Sequence, residues 1–229
     1  MKKIIFLVIS AMMLTSCEKN VEFNNPAFQG LVNNTLWKSS TTVATKSATG
    51  AITIKGIAAA GNLNLTVNST ALGTRVFGTT NPSNMVSYSL ANATSSFDYT
   101  TNITPAGANK IKLLTAGLGY TTSKLVTTTG GTGTGLKVDI EANATGIVTS
   151  VVVNAPGDNY QAGDVISIVG GNGNATFIVE NVTKSNGEIT ITEYDGATIT
   201  GNFKFTAFDT ASGTTTSCRD GVFYKIPVN

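Results

Sequence analysis

The 229-residue sequence contains no histidine. That absence excludes Ser-His-Asp and Cys-His nucleophile systems and the commonest zinc ligand sets, so any hydrolytic chemistry falls to carboxylates or lysines. Charge is sparse, at 12% of residues, and Trp37 is the one tryptophan. No basic run, and no basic stripe with interleaved aromatics, occurs anywhere, which argues against nucleic acid as a partner. The two cysteines, Cys17 and Cys218, are too few for a disulfide framework. Nothing around Cys218 in the sequence resembles a base that would lower its pKa, so it reads as a quiet thiol.

What is present begins at the amino terminus. Lys2 and Lys3 precede an apolar run over residues 4–14, the layout of a secretory signal and too short to span a bilayer as a mature helix. The run ends in Leu14-Thr15-Ser16-Cys17, which resembles the lipobox of bacterial lipoproteins. The resemblance implies cleavage before Cys17 and acylation of its thiol and amine. At roughly 0.8 kcal/mol per buried methylene, several acyl chains hold a protein on a membrane essentially permanently. An ordinary secretory signal with an incidental cysteine is the alternative. Without Lys2 and Lys3 the 15 basic residues fall to 13 and balance the 13 acidic ones. With Cys17 lipidated, no intramolecular disulfide can form.

The remainder is rich in glycine (24 residues), threonine, asparagine, serine and valine, a mixture that favours strands and tight turns over helices. Residues 1–17 are therefore expected to be a lipoprotein signal peptide and residues 18–27, "EKNVEFNNPA", a polar tether. Period-2 alternation follows in "AITIKG", "NLNLTVN" and "MVSYSLA", and returns in "GEITITEYDGATITGNFKFTAF" and "DGVFYKIPV". Each reads as a strand with one wet face, and the fourth as a hairpin turning at Tyr194-Asp195-Gly196. The expected fold class is all-β: a β-sandwich, immunoglobulin-like or jelly-roll-like, over residues 28–105 plus 184–229.

Between these blocks one pattern occurs twice, in "AGLGYTTSKLVTTTGGTG" (116–133) and "PGDNYQAGDVISIVGGNG" (156–173). Gly117 aligns with Gly157, Tyr120 with Tyr160, Leu125-Val126 with Val165-Ile166 and Gly130-Gly131 with Gly170-Gly171, at a spacing of forty. Beyond the double glycine, "GLKVDI" faces "TFIVEN" with a shift of one. Strand, glycine turn and strand make a unit too small to bury its apolar face alone, so two copies sharing one core are expected over residues 106–183, as a small two-repeat β module inserted into the sandwich.

Two further resemblances bear on this organisation. "NNTLWKSS" around Trp37, with Gly187 to Asp195, Thr198 to Ala207 and Asp220 to Phe223, resembles an uncharacterised family of small Bacteroidota lipoproteins, which implies a β-sandwich of no assigned activity. Gly117, Gly119, Tyr120, Thr121, Gly130 to Gly135 and Gly163 to Ile168 resemble the repeats of phage virion and bacterial surface proteins, where the module is structural or adhesive.

Candidate chemistry is limited. Asp139 and Glu141 would share a strand face, and Asp158 and Asp164 lie in the second repeat; solvated carboxylates explain them without catalysis. "GGTGTGLK" lacks the Gly-Lys-Ser/Thr ending and following helix of a phosphate loop. Asp158, Asn159 and Asp164 are candidate calcium ligands by their oxygen chemistry, with Asx turns as the competing explanation. Asp209-Thr210-Ala211 resembles the acceptor of Bacteroidota O-glycosylation and makes Thr210 a candidate modification site.

No catalytic residue, metal centre or cofactor is expected. The functional expectation is a non-enzymatic envelope lipoprotein, anchored to the outer membrane by its N-terminal lipid, on either face, and acting as a structural, adhesive or glycan-binding protein. Its partners would be the membrane and a glycan or envelope protein. An accessory subunit of a larger outer-membrane or secretion complex is the alternative, and a carboxylate-dependent glycan hydrolase a third reading.

Overall fold

The computed structural model describes residues 27–91 and 96–229; Cys17 and the tether up to residue 26 lie outside the described residues. The described chain is all-β. Its strands are β1 (Ala27–Val32), β2 (Thr35–Lys38), β3 (Thr41–Lys46), β4 (Ile52–Ala58), β5 (Gly61–Val67), β6 (Gly73–Phe77), β7 (Met85–Ala91), β8 (Ser96–Thr100) and β9 (Ala108–Thr115). They continue as β10 (Ser123–Thr129), β11 (Thr134–Ala142), β12 (Val148–Asp158), β13 (Val165–Ile168), β14 (Thr176–Val182), β15 (Asn186–Tyr194), β16 (Thr198–Asp209) and β17 (Thr214–Pro227).

Eleven strands form one antiparallel sheet in the order β2-β1-β17-β16-β8-β7-β5-β4-β3, and β15 and β6 branch from β16. β16 can serve two neighbours on one edge because it is long: residues 199–206 pair with β15, and Phe208 then pairs with Thr100 of β8. The sheet curls until β3 meets the end of the chain, where Ala44 bridges Val228 and Asn229 N donates to Ala44 O at 2.9 Å. Such curled antiparallel sheets fit a sandwich or barrel-like architecture, in line with the expected class.

Alternation dictates what the curl encloses. In β5 every odd residue from Gly61 to Val67 is buried, and β16 alternates likewise from Ile199 to Asp209. Leu63, Leu65, Ile52, Ile54, Phe203, Phe205 and Phe223 fill the interior with Phe28 and Trp37. Burying each large side chain is worth about 1.5–3 kcal/mol. Trp37 meets Phe28 edge-on, centroids 5.2 Å apart. The β1–β2 hairpin that delivers Trp37 turns at Asn33-Asn34, both with positive φ (47° and 66°), the backbone that a two-residue hairpin matched to strand twist requires.

The remaining six strands form a second sheet in the order β12-β11-β10-β13-β14-β9. Its centre is the pairing of β10 with β13, Thr128 opposite Ile168 and Thr129 opposite Ser167, with Val169 N donating to Thr127 O. Positions forty apart thus face each other across a local two-fold. The flanks obey it too: Tyr160 N donates to Ala106 O and Tyr120 N to Gly146 O, and moving Ala106 forty places on and Tyr160 forty places back turns one pair into the other. Ala108 and Val148, the first residues of β9 and β12, are both buried. Beyond the double glycines, Leu136, Val138 and Ile140 correspond to Phe177, Val179 and Asn181 in facing the interior, an offset of forty-one. The extra residue is absorbed in the glycine turn, so the inward parity survives.

Each outer strand has crossed to the other half. β12 pairs with β11, and β9 with β14. One core therefore contains side chains from both repeats, including Tyr120, Tyr160, Ile166, Ile168 and Phe177. Buried Asn181 ties the two sheets: its Nδ2 donates to Phe77 O at 3.2 Å, and its Oδ1 accepts from Asn109 Nδ2 at 2.9 Å.

Candidate functional site

A feature of mixed chemistry lies beside β7 and β8. β7 and β8 place Tyr88 opposite Tyr99 and Leu90 opposite Phe97. Phe97 and Tyr99, two apart on a strand, share a face. Three rings therefore stack in series, Phe97 on Tyr99 at 5.9 Å and 11°, and Tyr99 on Tyr88 at 6.3 Å and 26°. Beside them opens a cavity of about 280 Å³, walled by Trp37, Tyr88, Leu90 and Tyr99, with Thr216 on its floor and Leu36 at its rim. Leu36 is 60% exposed.

The polar ends of two wall residues are already committed. Trp37 Nε1 donates to Gly61 O at 2.9 Å, and the Tyr88 hydroxyl donates to Ala60 O, both in the β4–β5 turn. Burial, and secondarily the neighbouring Tyr99, pushes the Tyr88 phenol above its ordinary pKa, so it stays neutral and its ring serves as surface. Thr216 differs. It is 2% exposed, and its Oγ1 has no hydrogen-bond partner among the described residues, although such an orphaned hydroxyl typically costs about 1–3 kcal/mol. Among the described residues, no carboxylate, lysine or arginine lines the cavity.

The residues singled out from sequence lie elsewhere. Asp158, Asn159 and Asp164 do meet, around Thr132 of the other repeat. Asp164 Oδ2 accepts from Thr132 N (3.1 Å), Thr132 Oγ1 (2.8 Å) and Gln161 N (2.9 Å). Asp158 Oδ1 accepts from Asn159 N at 2.9 Å, and the Asn159 carbonyl lies 3.1 Å from Thr132 Oγ1. Asp164 Oδ2 and Asp158 Oδ1 are therefore engaged in turn hydrogen bonds. Among the described residues, no three His, Cys, Asp or Glu side chains are grouped to hold a metal ion.

Thr210 sits exposed in the β16–β17 turn. Asp209 beside it is buried, accepting from Ala211 N at 3.0 Å and Ser212 Oγ at 2.8 Å. The Ser212 hydroxyl foremost holds its carboxyl below the usual range. Cys218 faces the core, and burial, aided by the charge of Asp220, pushes its thiol up to about 12.

Of the paired carboxylates, Asp139 accepts from Leu125 N (2.9 Å) and Asn154 Nδ2 (2.8 Å) on the outer face of β11. A pair that sequence reasoning missed, Glu188 and Asp220, lines an open groove of about 250 Å³ with Lys204. Both are ion-paired, Glu188 with Lys204 and Asp220 with Arg219, each at 3.0 Å. The aromatic cavity was missed as well. Its trace in the sequence is the period-2 aromatic pair of "FDY" (97–99) opposite "SYSL" (87–90).

A family model described as a domain of unknown function (DUF6252) matches residues 24–118 and again residues 113–227. No curated protein and no solved structure matches the chain.

Proposed function

The chain belongs to the DUF6252 family of unknown function, and we propose that it is a membrane-anchored, non-enzymatic envelope protein that binds glycans. The observation that carries this reading is the stack Phe97–Tyr99–Tyr88 beside an uncharged cavity. Aromatic faces attract the polarised C–H groups of a sugar, and ring stacks of this kind are common contact surfaces. Two features of the sequence support the anchor. Leu14-Thr15-Ser16-Cys17 has the pattern of a lipidation site, and only about ten residues separate Cys17 from the start of β1. At ~3.3–3.6 Å per residue, that tether holds the larger sheet within about 35 Å of the lipid.

In this reading the larger sheet is the binding body, and residues 106–183 form an inserted, rigid two-repeat spacer. Thr210, exposed and not needed by the core, is available for O-glycosylation. Two measurements test the proposal together. Palmitate labels the wild type but not Cys17→Ala, and envelope polysaccharide retains the wild type but not the Phe97→Ala/Tyr99→Ala double variant. Equal labelling removes the anchor, and equal retention removes the glycan reading.

A second reading, an accessory subunit docked to a larger envelope complex, rests on Leu125 and Val165. These repeat equivalents are 54% and 51% exposed, on β10 and at the start of β13 beside the local two-fold. Crosslinked partners lost on Leu125→Asp/Val165→Asp would favour it.

A further inference from the structure

We propose that Asn172 is a site of spontaneous, cumulative modification: in the folded protein its carboxamide closes onto the nitrogen of Gly173, loses ammonia and leaves an aspartate or isoaspartate at position 172. The inference is independent of the glycan-binding reading.

The chain holds two Asn-Gly pairs, Asn172-Gly173 and Asn186-Gly187. In both, glycine puts no side chain between the carboxamide and the following peptide nitrogen. The local chemistry is the same, so the fold decides which pair reacts.

At Asn172 the fold assembles what the reaction needs. Attack of Gly173 N on the Asn172 Cγ drives negative charge onto Oδ1, and that oxygen already accepts from Leu118 N at 3.1 Å and Asn174 N at 3.2 Å. Backbone donors aimed at a developing oxyanion stabilise it without reorganising. The bond from Asn174 N also closes an Asx turn, which curls the carboxamide back toward the peptide that follows it. Gly173 has φ +75°, and a Cβ there would meet nothing within 4 Å. Residues 169–174 are all exposed, so water reaches the turn. Gly173 N donates to Gly170 O at 2.9 Å, a single exposed bond that local opening frees.

Asn186 is held the opposite way. It is half-buried, and its Nδ2 donates to Val182 O at 2.9 Å and Thr183 O at 3.0 Å, which pulls the carboxamide toward the preceding turn. Gly187 lies between two strands, opposite Phe205 on one side and Phe77 on the other. Its peptide cannot turn to attack without breaking the sheet.

The chemistry closes with water as its co-reactant. Gly173 N gives its proton to solvent and bonds to Cγ; the Cγ–Nδ2 bond then breaks and the nitrogen leaves, protonated, as ammonia. Water opens the resulting ring at Cγ, giving aspartate, or at the main-chain carbonyl, giving isoaspartate. Nothing is oxidised or reduced. The site joins the two repeats, since Asn172 N donates to Leu118 O at 2.9 Å. An isoaspartate adds a methylene to the backbone and a negative charge at that join, and so loosens it. Because the lost ammonia is not regained, the converted fraction records the time since folding.

The experiment ages the full-length protein in detergent at mildly alkaline pH and follows both asparagines by peptide mapping and mass spectrometry. In the native protein Asn172 should convert at least about tenfold faster than Asn186, and in urea the two rates should converge. Gly173→Ala, whose methyl shields the attacking nitrogen, should slow conversion at Asn172 about tenfold. Ageing should lower the melting temperature of the wild type and leave that of Gly173→Ala unchanged. Equal native rates, conversion confined to urea, or undiminished conversion in Gly173→Ala overturns the proposal, and an unchanged melting temperature after conversion overturns the loosening of the join.

Discussion

Thr128 pairs with Ile168, the residue that occupies its own position forty places later. A strand that meets its counterpart in this way lies on a two-fold axis, and the axis organises everything around it. Tyr120 of the first repeat rests on Gly171 of the second, while Tyr160 of the second rests on Gly133 of the first. The Tyr120 hydroxyl then donates to Ile168 O at 3.1 Å and accepts from Ala175 N at 3.2 Å. Each tyrosine thus locks on a glycine of the other repeat, through positions that are not equivalent: Gly131, the counterpart of Gly171, faces Ile166 and Asp164 instead.

The lock makes Gly171 intolerant of substitution. It has φ +50°, and a Cβ there would lie 2.5 Å from Leu118 O and 2.6 Å from the Tyr120 ring. Gly173, two residues on, has open space around it. Gly171→Ala should cost about 2–4 kcal/mol, combining left-handed strain with overpacking, and Gly173→Ala about 1 kcal/mol from strain alone. Urea denaturation of the two variants checks the difference, and equal losses would contradict the lock.

Trp37 offers a test in the larger core. Trp37→Phe keeps most of the ring but strands the Gly61 carbonyl, which now receives the indole N–H. The expected loss is about 2–3 kcal/mol, and Trp37→Ala, which leaves a cavity against Phe28 and Gly56, should lose about 3–5 kcal/mol. The order of the two melting temperatures is the readout.

Cys218 should be chemically silent while the protein is folded. With its thiol at about 12 and its side chain against Gly30, almost no thiolate exists at pH 8. Ellman's reagent is expected to react with Cys17→Ala protein only after denaturation. Rapid reaction of the native protein would show that β17 opens locally.

Asp195 should make the β15–β16 turn acid-sensitive. Hydrogen bonds from Thr198 N foremost, then Ala197 N and the Thr198 hydroxyl, hold its carboxyl below the ordinary value. A depressed carboxyl stabilises the fold above its unfolded pKa, near 3.9, and that contribution is lost as pH falls through the lower folded value. Asp195→Asn should therefore melt below the wild type at pH 7, with the gap narrowing below about pH 4. A constant gap across that range would mean that charge is irrelevant to the turn.

Residues 106–183 enter and leave at adjacent points, since Ala108 lies opposite Val182 and Thr183 N donates to Gly107 O at 2.8 Å. Replacing them with a short Gly-Ser bridge should leave a protein with one cooperative thermal transition. It loses the bond from Asn181 to Phe77 O and those from Asn186 Nδ2 to the Val182 and Thr183 carbonyls. A noncooperative product would show that the larger sheet depends on the smaller.

Strand faces and local turns were legible in the sequence because both are written locally. Alternation placed β4, β5 and β7, and Asp195-Gly196 marked the β15–β16 turn. The spacing of forty anticipated the correspondence of Tyr120 with Tyr160. Partners were not legible: a period of two says which face is wet and nothing about which strand lies alongside. The crossing of β9 and β12 into opposite halves is such a choice, made by the shared core. Asp158, Asn159 and Asp164 were read as oxygen donors for an ion, and only tertiary structure brings Thr132 against them. Thr216 gave no sequence signal at all, because its significance is the absence of a neighbour, and that is a property of packing.

β1 pairs with β17 along Ala27 to Val32, so the first of the described strands is completed by the last. While a ribosome is still adding residues before 214, the hairpin carrying Trp37 has one bare edge, and Cys218, Phe223 and Ile226 of its core are unsynthesised. Closure must wait for release, and because the meeting strands are nearly two hundred residues apart it is a slow, late event.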